Sequence, residues 1–128
     1  MRKIRRTFIK ELFTTYDLIE AIDNYKKKTE GKGALIFFDT ETTGLNIKYD
    51  LPFLLPWGFI DKYNDAYVYC VDVDKKKHLF KQTALTLVKL AKDQGLVGHN
   101  IKYDIHMLNN IGVKTPDDIN YIDTMVLI

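Results

Sequence analysis

The chain has 128 residues, of which 46% are apolar, with 19 Lys and Arg against 17 Asp and Glu. This length suits one domain with a real core, residues 1–128, and the composition excludes a disordered, collagen-like or coiled-coil protein. No apolar run approaches the ~18 residues of a membrane span, and the lone Cys70 excludes a disulfide scaffold. We therefore expect a protein of a reducing compartment, the cytoplasm, with no membrane partner. The net charge of +2 alone does not indicate a nucleic-acid partner.

The sequence of the first half predicts one helix, one short edge strand and three longer strands. Residues 8–12 indicate a short edge strand, and Thr15 has the character of an N-cap before apolar residues at helical spacing. Residues 34–38 form a continuous apolar run, which is typical of a strand buried on both faces. Residues 54–60 and 66–73 then predict two antiparallel strands joined by a turn.

The second half predicts alternating helices and strands. A helix is expected over residues 79–92, with Gly95 at its C-terminal end, followed by a short strand at residues 96–98. A second helix is expected over residues 101–110, and a last strand over residues 119–122. The complete order is strand, helix, three strands, helix, strand, helix, strand, which predicts a mixed α/β sheet with helices on its faces.

Two carboxylates follow the apolar run of residues 34–38. Asp39 and Glu41 are two positions apart, so on an extended chain their side chains point to the same side. Open α/β sheets place their sites at such strand ends, and two neighbouring carboxylates remain ionised more easily beside a cation. A polar turn that merely ends the strand is the commoner explanation of such a pair, so the pair alone does not establish a metal site.

A second polar pair begins the helix predicted at residues 101–110. Asn100 and Asp104 are four positions apart and therefore share one face of that helix. The short strand at residues 96–98 would carry them to the same edge of the sheet as Asp39. The simpler explanation is that Asn100 is an N-cap and Asp104 an exposed helix acid, and for Asn100 a cap role and a functional role are compatible.

Taken together, these segments resemble the first and second exonuclease motifs of the DEDD superfamily. The matching segments are residues 38–45 (FDTETTGL) and residues 97–104 (VGHNIKYD). The best match is the 3′–5′ proofreading domain of family A DNA polymerases, and residues 121–125 (YIDTM) resemble the segment after the second motif. The similarity spans about residues 7–128. The start at Met1, with no nuclease domain ahead, is similar to a phage polymerase.

The resemblance implies an RNase H-like fold and two-metal hydrolysis of a phosphodiester bond at the 3′ end of single-stranded DNA, with a polymerase domain downstream. It implies that Asp39, Glu41 and Asp104 are the catalytic metal ligands. By matching position, Asp39 would bridge two ions, Glu41 would hold the ion that activates the attacking water, and Asp104 would reach the second ion. Carboxylate oxygens suit Mg²⁺ or Mn²⁺, and no Cys/His cluster indicates zinc.

The resemblance also implies three substrate-binding residues. Thr42 and Leu45 match positions that contact the terminal nucleotide, and Asn100 matches another substrate contact. Leu45 could wedge against the terminal base, which suits a site that selects strand ends and tolerates any sequence.

One departure from the family's pattern concerns its third motif, a Tyr and an Asp four residues apart on a helix beyond the end of this sequence. We therefore expect a C-terminally truncated domain that lacks its last helical part and has weak or no activity alone. Asp123 is a poor substitute for the missing acid, because the Asp-Thr pair at this place resembles a strand-to-helix cap.

Two alternatives to a DNA exonuclease remain open. The chain could be a truncated, non-catalytic module that binds nucleic acid or a partner and keeps the fold by descent. It could also be an RNA 3′-processing exonuclease of the same superfamily, because no feature of the sequence shows how the 2′-hydroxyl would be read. For a phage protein the compartment would be the host cytoplasm.

Overall fold

A computed structural model of the chain describes residues 3–30, 35–42, 52–72, 77–98, 101–115 and 121–123. Within these ranges only the backbone is described at some positions, Glu41 and Thr42 among them. No helix of the described part combines the length and the apolar character needed to cross a bilayer.

Seven strands and three helices follow one another along the described chain. They are β1 (Arg6–Glu11), α1 (Thr15–Lys28), β2 (Ile36–Phe38), β3 (Glu41–Thr42), β4 (Pro52–Ile60), β5 (Asp65–Asp72), α2 (Lys77–Gln94), β6 (Leu96–Gly98), α3 (Ile101–Asn110) and β7 (Tyr121–Asp123). This is the predicted order with one addition, the two-residue strand β3, which the sequence analysis did not foresee.

The strands form one mixed sheet in the order β1-β5-β4-β2-β6-β7, and β3 pairs with β4 beside this path. β4 runs antiparallel to β2, β3 and β5, whereas β1 is parallel to β5 and β6 is parallel to both β2 and β7. β2 and β6 consequently end at the same edge, which we call the carboxyl end of the sheet. The β4–β5 turn at residues 61–64 lies at the opposite edge, the turn end.

The core joins the helices to the sheet. Trp57 is fully buried in β4 and stacks on Tyr69 of β5, with ring centroids 4.7 Å apart. Phe59 stacks on Tyr67 at 5.1 Å and meets the ring of Tyr25 from α1 edge-on. The same buried cluster contains Leu18, Ile36, Phe38, Phe80, Leu87 and Leu108. This packing fixes β2, and with it the chain that leaves β2, against β4.

The N-cap of α1 is Thr14, so the prediction of Thr15 was wrong by one residue. The Thr14 hydroxyl accepts the N–H of Asp17 at 3.1 Å, and the Asp17 carboxylate accepts the N–H of Thr14 at 3.2 Å, which completes a capping box. A further hydrogen bond from the N–H of Phe13 is the main cause that lowers the pKa of Asp17. Of these two threonines, only Thr14 has an acid three positions onward, and this spacing selects it.

The predicted strand ends differ from the observed ones by one or two residues. β2 begins at Ile36, and Leu35 lies outside it with 46% of its surface exposed. Phe37 is half-buried, so burial on both faces is only partial. β7 spans Tyr121–Asp123, while residues 119 and 120 lie outside the described part. The prediction that Gly95 ends a helix is confirmed by its φ of +92°, which glycine adopts without strain.

Candidate active site

The chain that leaves β2 continues along β4 and becomes β3. The N–H of Asp39 donates to the carbonyl oxygen of Pro56 at 3.0 Å, and Glu41 pairs with Leu54 two positions further along β4. Asp39 and Thr40 form the break between β2 and β3. The pairing with β4 thus holds the backbone of Asp39 and Glu41 at a fixed separation at the carboxyl end of the sheet.

Asp104, in the first turn of α3, points at this break. Its side-chain oxygen Oδ1 accepts the backbone N–H of Thr40 at 3.1 Å and the Thr40 hydroxyl at 2.5 Å. Asp104 is only 2% exposed and Thr40 is 7% exposed. The simpler explanation of Asp104 as an exposed helix acid is therefore wrong, because α3 buries this carboxylate against the residue between Asp39 and Glu41.

The local electrostatics suit a buried carboxylate. β6 ends at Gly98 and α3 begins at Ile101, so Asp104 lies near the N-terminal end of the helix, where the helix dipole attracts negative charge. Hydrogen bonds to an ionised carboxylate are shorter and stronger than those between neutral groups. The two bonds from Thr40 fix the orientation of Asp104 at this place.

The structure describes only some of the residues expected at the site. It brings Asp104 to the segment of Asp39, whose side chain is exposed. Glu41 and Thr42 are placed in β3 by their backbone alone, and Leu45 and Asn100 lie outside the described residues. Among the side chains that are described, no three of His, Cys, Asp or Glu are grouped so that they could hold a metal ion.

Thr40 is a site residue that the sequence analysis missed. A signal for it existed, because the residue between two positions that face one side of an extended chain faces the other side. A Thr at such a position, next to a predicted helix that carries an acid, is a candidate donor to that acid. Only the contact across 64 positions of sequence identifies Asp104 as its partner.

A second group of buried carboxylates lies at the turn end. Asp65 is 2% exposed and accepts Arg5 Nε at 2.9 Å, Arg5 Nη2 at 2.7 Å and Arg6 Nη2 at 3.3 Å. The hydrogen bond from Arg5 is the main cause that lowers the pKa of Asp65 to about 2. Asp61 accepts the N–H of Tyr63 at 2.9 Å and that of Asp65 at 3.0 Å, which closes the turn.

A family model described as 3′-5′ exonuclease matches residues 7–127, nearly the whole chain. The chain belongs to this family of 3′–5′ exonucleases. The segments containing Asp39, Thr40 and Asp104 all lie within the match. The predicted resemblance to a 3′–5′ exonuclease domain is thereby confirmed at the level of the family.

Solved structures share the fold at low sequence identity. The Nibbler EXO domain of Aedes aegypti has a TM-score of 0.62 at 16% identity, over 93% of this chain and 54% of that chain. RNase D of Trypanosoma brucei, solved with RNA U12, has a TM-score of 0.64 at 15% identity, over 94% and 38%. NrnC of Brucella melitensis, solved with bound Mg²⁺, has a TM-score of 0.56 at 20% identity, over 93% and 50%.

These likenesses confirm the predicted fold, an RNase H-like mixed sheet flanked by helices. The chain spans about half of the Nibbler and NrnC structures and less of RNase D. A comparison with curated protein sequences gives no match.

Proposed function

We propose that this chain is part of a divalent-metal-dependent exonuclease that hydrolyses phosphodiester bonds from the 3′ end of a single DNA strand. The observation that carries the proposal is the buried contact between Asp104 and Thr40. It brings the acid of α3 to the segment with the two other acids, in a chain that belongs to a 3′–5′ exonuclease family. A group of carboxylates at one sheet edge is what such chemistry requires.

The proposed metal ligands are Asp39, Glu41 and Asp104. All three offer hard carboxylate oxygens, which fit Mg²⁺ or Mn²⁺ better than zinc. When bound, two such ions activate the attacking water and stabilise the charge on the leaving oxygen. Asp104 contributes a carboxylate whose orientation is already set, and Asp39 contributes one that is open to solvent and to substrate.

The proposed substrate contacts are Thr42, Leu45 and Asn100, which would bind the terminal nucleotide. Nucleic acids bound to structural neighbours support this class of substrate, since NrnC was solved with pGG and RNase D with RNA U12. We propose that the site proofreads for a DNA polymerase domain of the same protein, in the cytoplasm of a cell or of a phage host. The family resemblance of residues 38–45 and 97–104 supports this context.

RNA is the second candidate substrate. The RNase D complex with RNA U12 has a TM-score of 0.64, against 0.62 for the Nibbler EXO domain and 0.56 for NrnC with Mg²⁺. Labelled single-stranded oligonucleotides that differ only in ribose or deoxyribose distinguish the two substrates, because only RNA presents the 2′-hydroxyl. Faster release of nucleotides from the 3′ end of RNA would assign the chain to RNA processing.

The first test measures metal binding through thermal unfolding. We expect Mg²⁺ or Mn²⁺ to raise the melting temperature, because a ligand that binds only the folded state stabilises it. Asp39→Ala should abolish this rise. Asp23→Ala, which removes an exposed carboxylate from α1, is the matched control and should retain it. If neither metal changes the melting temperature of the wild-type protein, the proposed site is contradicted.

The second test measures hydrolysis. A polypeptide of only these 128 residues should degrade labelled single-stranded DNA slowly, because it has no counterpart of the third motif's Tyr and Asp. A longer polypeptide that adds those two residues should degrade it fast. Salt-sensitive DNA binding without metal, unchanged by Asp39→Ala, would instead favour the non-catalytic binding module.

A further inference from the structure

We infer that Thr40 is a positioning residue, whose hydroxyl and backbone amide orient the Asp104 carboxylate for metal binding. This inference rests on the proposed function, because it assigns Thr40 a task within the same site. Thr40 itself would touch neither metal nor substrate. It would act through Asp104, the carboxylate that it contacts.

The geometry supports orientation as the task of Thr40. Both of its donors reach the same oxygen, Oδ1 of Asp104, at 3.1 Å from the amide and 2.5 Å from the hydroxyl. Two donors from one rigid residue restrict rotation of the carboxylate about its Cβ–Cγ bond. Water competes little for these bonds, because the two residues are 7% and 2% exposed.

Thr40 connects the acid of α3 to the chain segment that contains the other two acids. It lies between Asp39 and Glu41 in sequence, so its bond to Asp104 ties α3 to the segment with both other acids. Partners that hydrogen-bond a metal-binding side chain fix its orientation, and their loss typically costs ~10–100-fold in metal affinity. Removing the Thr40 hydroxyl should therefore weaken metal binding without removing any ligand.

Two substitutions separate the hydroxyl from the shape of the side chain. Thr40→Val keeps the branched shape and the backbone amide but removes the hydroxyl. Thr40→Ser keeps the hydroxyl and loses only a methyl group. If Thr40 only packs, Thr40→Val should disturb metal binding less than Thr40→Ser. If Thr40 orients Asp104, Thr40→Ser should disturb metal binding less than Thr40→Val.

Thr83 offers a matched control for the loss of a buried hydroxyl. It is fully buried in α2, and its hydroxyl donates to the backbone oxygen of Leu79 at 2.8 Å. Thr83→Val makes the same chemical change as Thr40→Val at a position in another helix. An effect common to both variants would therefore report general destabilisation.

The experiment titrates each folded variant with Mn²⁺ by calorimetry. We expect Thr40→Val to bind Mn²⁺ ~10–100-fold more weakly than wild type, and Thr40→Ser and Thr83→Val to bind as wild type does. Unchanged affinity in Thr40→Val, or an equal loss in Thr83→Val, would overturn the inference. If Thr40→Val does not fold, Thr40→Ala against Thr40→Ser gives the same comparison.

The same titration distinguishes failure of this inference from failure of the proposed function. Wild-type protein that binds no Mn²⁺, or Asp39→Ala that binds it as well as wild type, overturns the proposed function together with this inference. Binding that depends on Asp39 but not on the Thr40 hydroxyl overturns the inference alone.

Discussion

Buried carboxylates lie at both ends of the sheet, and Asp65 and Asp104 have different partners. At the turn end Asp65 accepts hydrogen bonds from the guanidinium groups of Arg5 and Arg6. At the carboxyl end Asp104 accepts two hydrogen bonds from Thr40. Both carboxylates are 2% exposed, so burial does not distinguish them, whereas these donors differ in charge.

This difference agrees with a structural role for Asp65 and with the metal-ligand role proposed for Asp104. The arginines bring positive charge to Asp65, and with it they fasten the N-terminal strand β1 to the beginning of β5. The donors of Thr40 orient Asp104 but bring no net charge. A neutral donor, unlike a guanidinium, does not itself neutralise a carboxylate, and the metal-ligand role proposed for Asp104 requires that negative charge.

The largest expected effect comes from replacing the buried acid at each end, Asp104 or Asp65, with Asn. Asp104→Asn should abolish the metal-induced rise in melting temperature, because it removes a ligand charge. Asp65→Asn should lower the melting temperature without metal and leave the metal-induced rise intact. Thermal unfolding of both variants with and without Mg²⁺ checks this. An equal loss of the metal effect in both variants would show that the two ends do not have separate roles.

A change of similar size, in the free energy of unfolding, is expected when Gly58, which lies between the two ends, is replaced by Ala. A Cβ at this position of β4 would overlap the carbonyl oxygen of Tyr67 and the ring of Phe37. Gly58→Ala should therefore destabilise the protein by about 3 kcal/mol, the cost of overpacking that moves backbone. Denaturant unfolding measures the change. A loss below ~1 kcal/mol would mean that β4 and β5 can separate locally at small cost.

Acid should weaken the turn end. The folded pKa of Asp65 is about 2, below the ordinary value of ~3.9 that it regains on unfolding. Its stabilising contribution is therefore complete above pH ~4 and is lost as the pH falls toward ~2. Melting temperatures from pH 7 to 2 should fall less steeply for Asp65→Asn than for wild type. Parallel curves would show that the Arg5–Asp65 pair contributes nothing to stability.

The smallest of the expected effects concerns the N-cap of α1, the helix that begins near the carboxyl end. Thr14→Ala should destabilise the protein by ~1 kcal/mol, because the N–H of Asp17 loses its acceptor. Thr15→Ala is the control: it removes a threonine one position later, whose hydroxyl donates to Gln82 Oε1 at 2.9 Å in an exposed hydrogen bond and does not cap the helix. Chemical denaturation of the two variants tests the assignment, and a larger loss at Thr15 would refute it.

The sequence predicted the order of the elements because apolar spacing and glycine positions report local structure directly. Thr14 was missed although its signal, an acid three positions onward, was present in the sequence. Leu35 shows a different reason, since an apolar run indicates a strand but not the residue at which pairing begins. The contact of Thr40 with Asp104 joins residues 64 positions apart, and no local pattern determines such a contact.

The fluorescence of Trp57 can report on the state of the sheet. Trp57 is the sole tryptophan of the chain, it is fully buried, and it stacks on Tyr69 beside the strand that leads to Asp39. Because an indole in an apolar site emits at shorter wavelength than one in water, fluorescence of the unlabelled protein follows one position at the centre of the sheet. Intrinsic emission can therefore follow unfolding without any added dye.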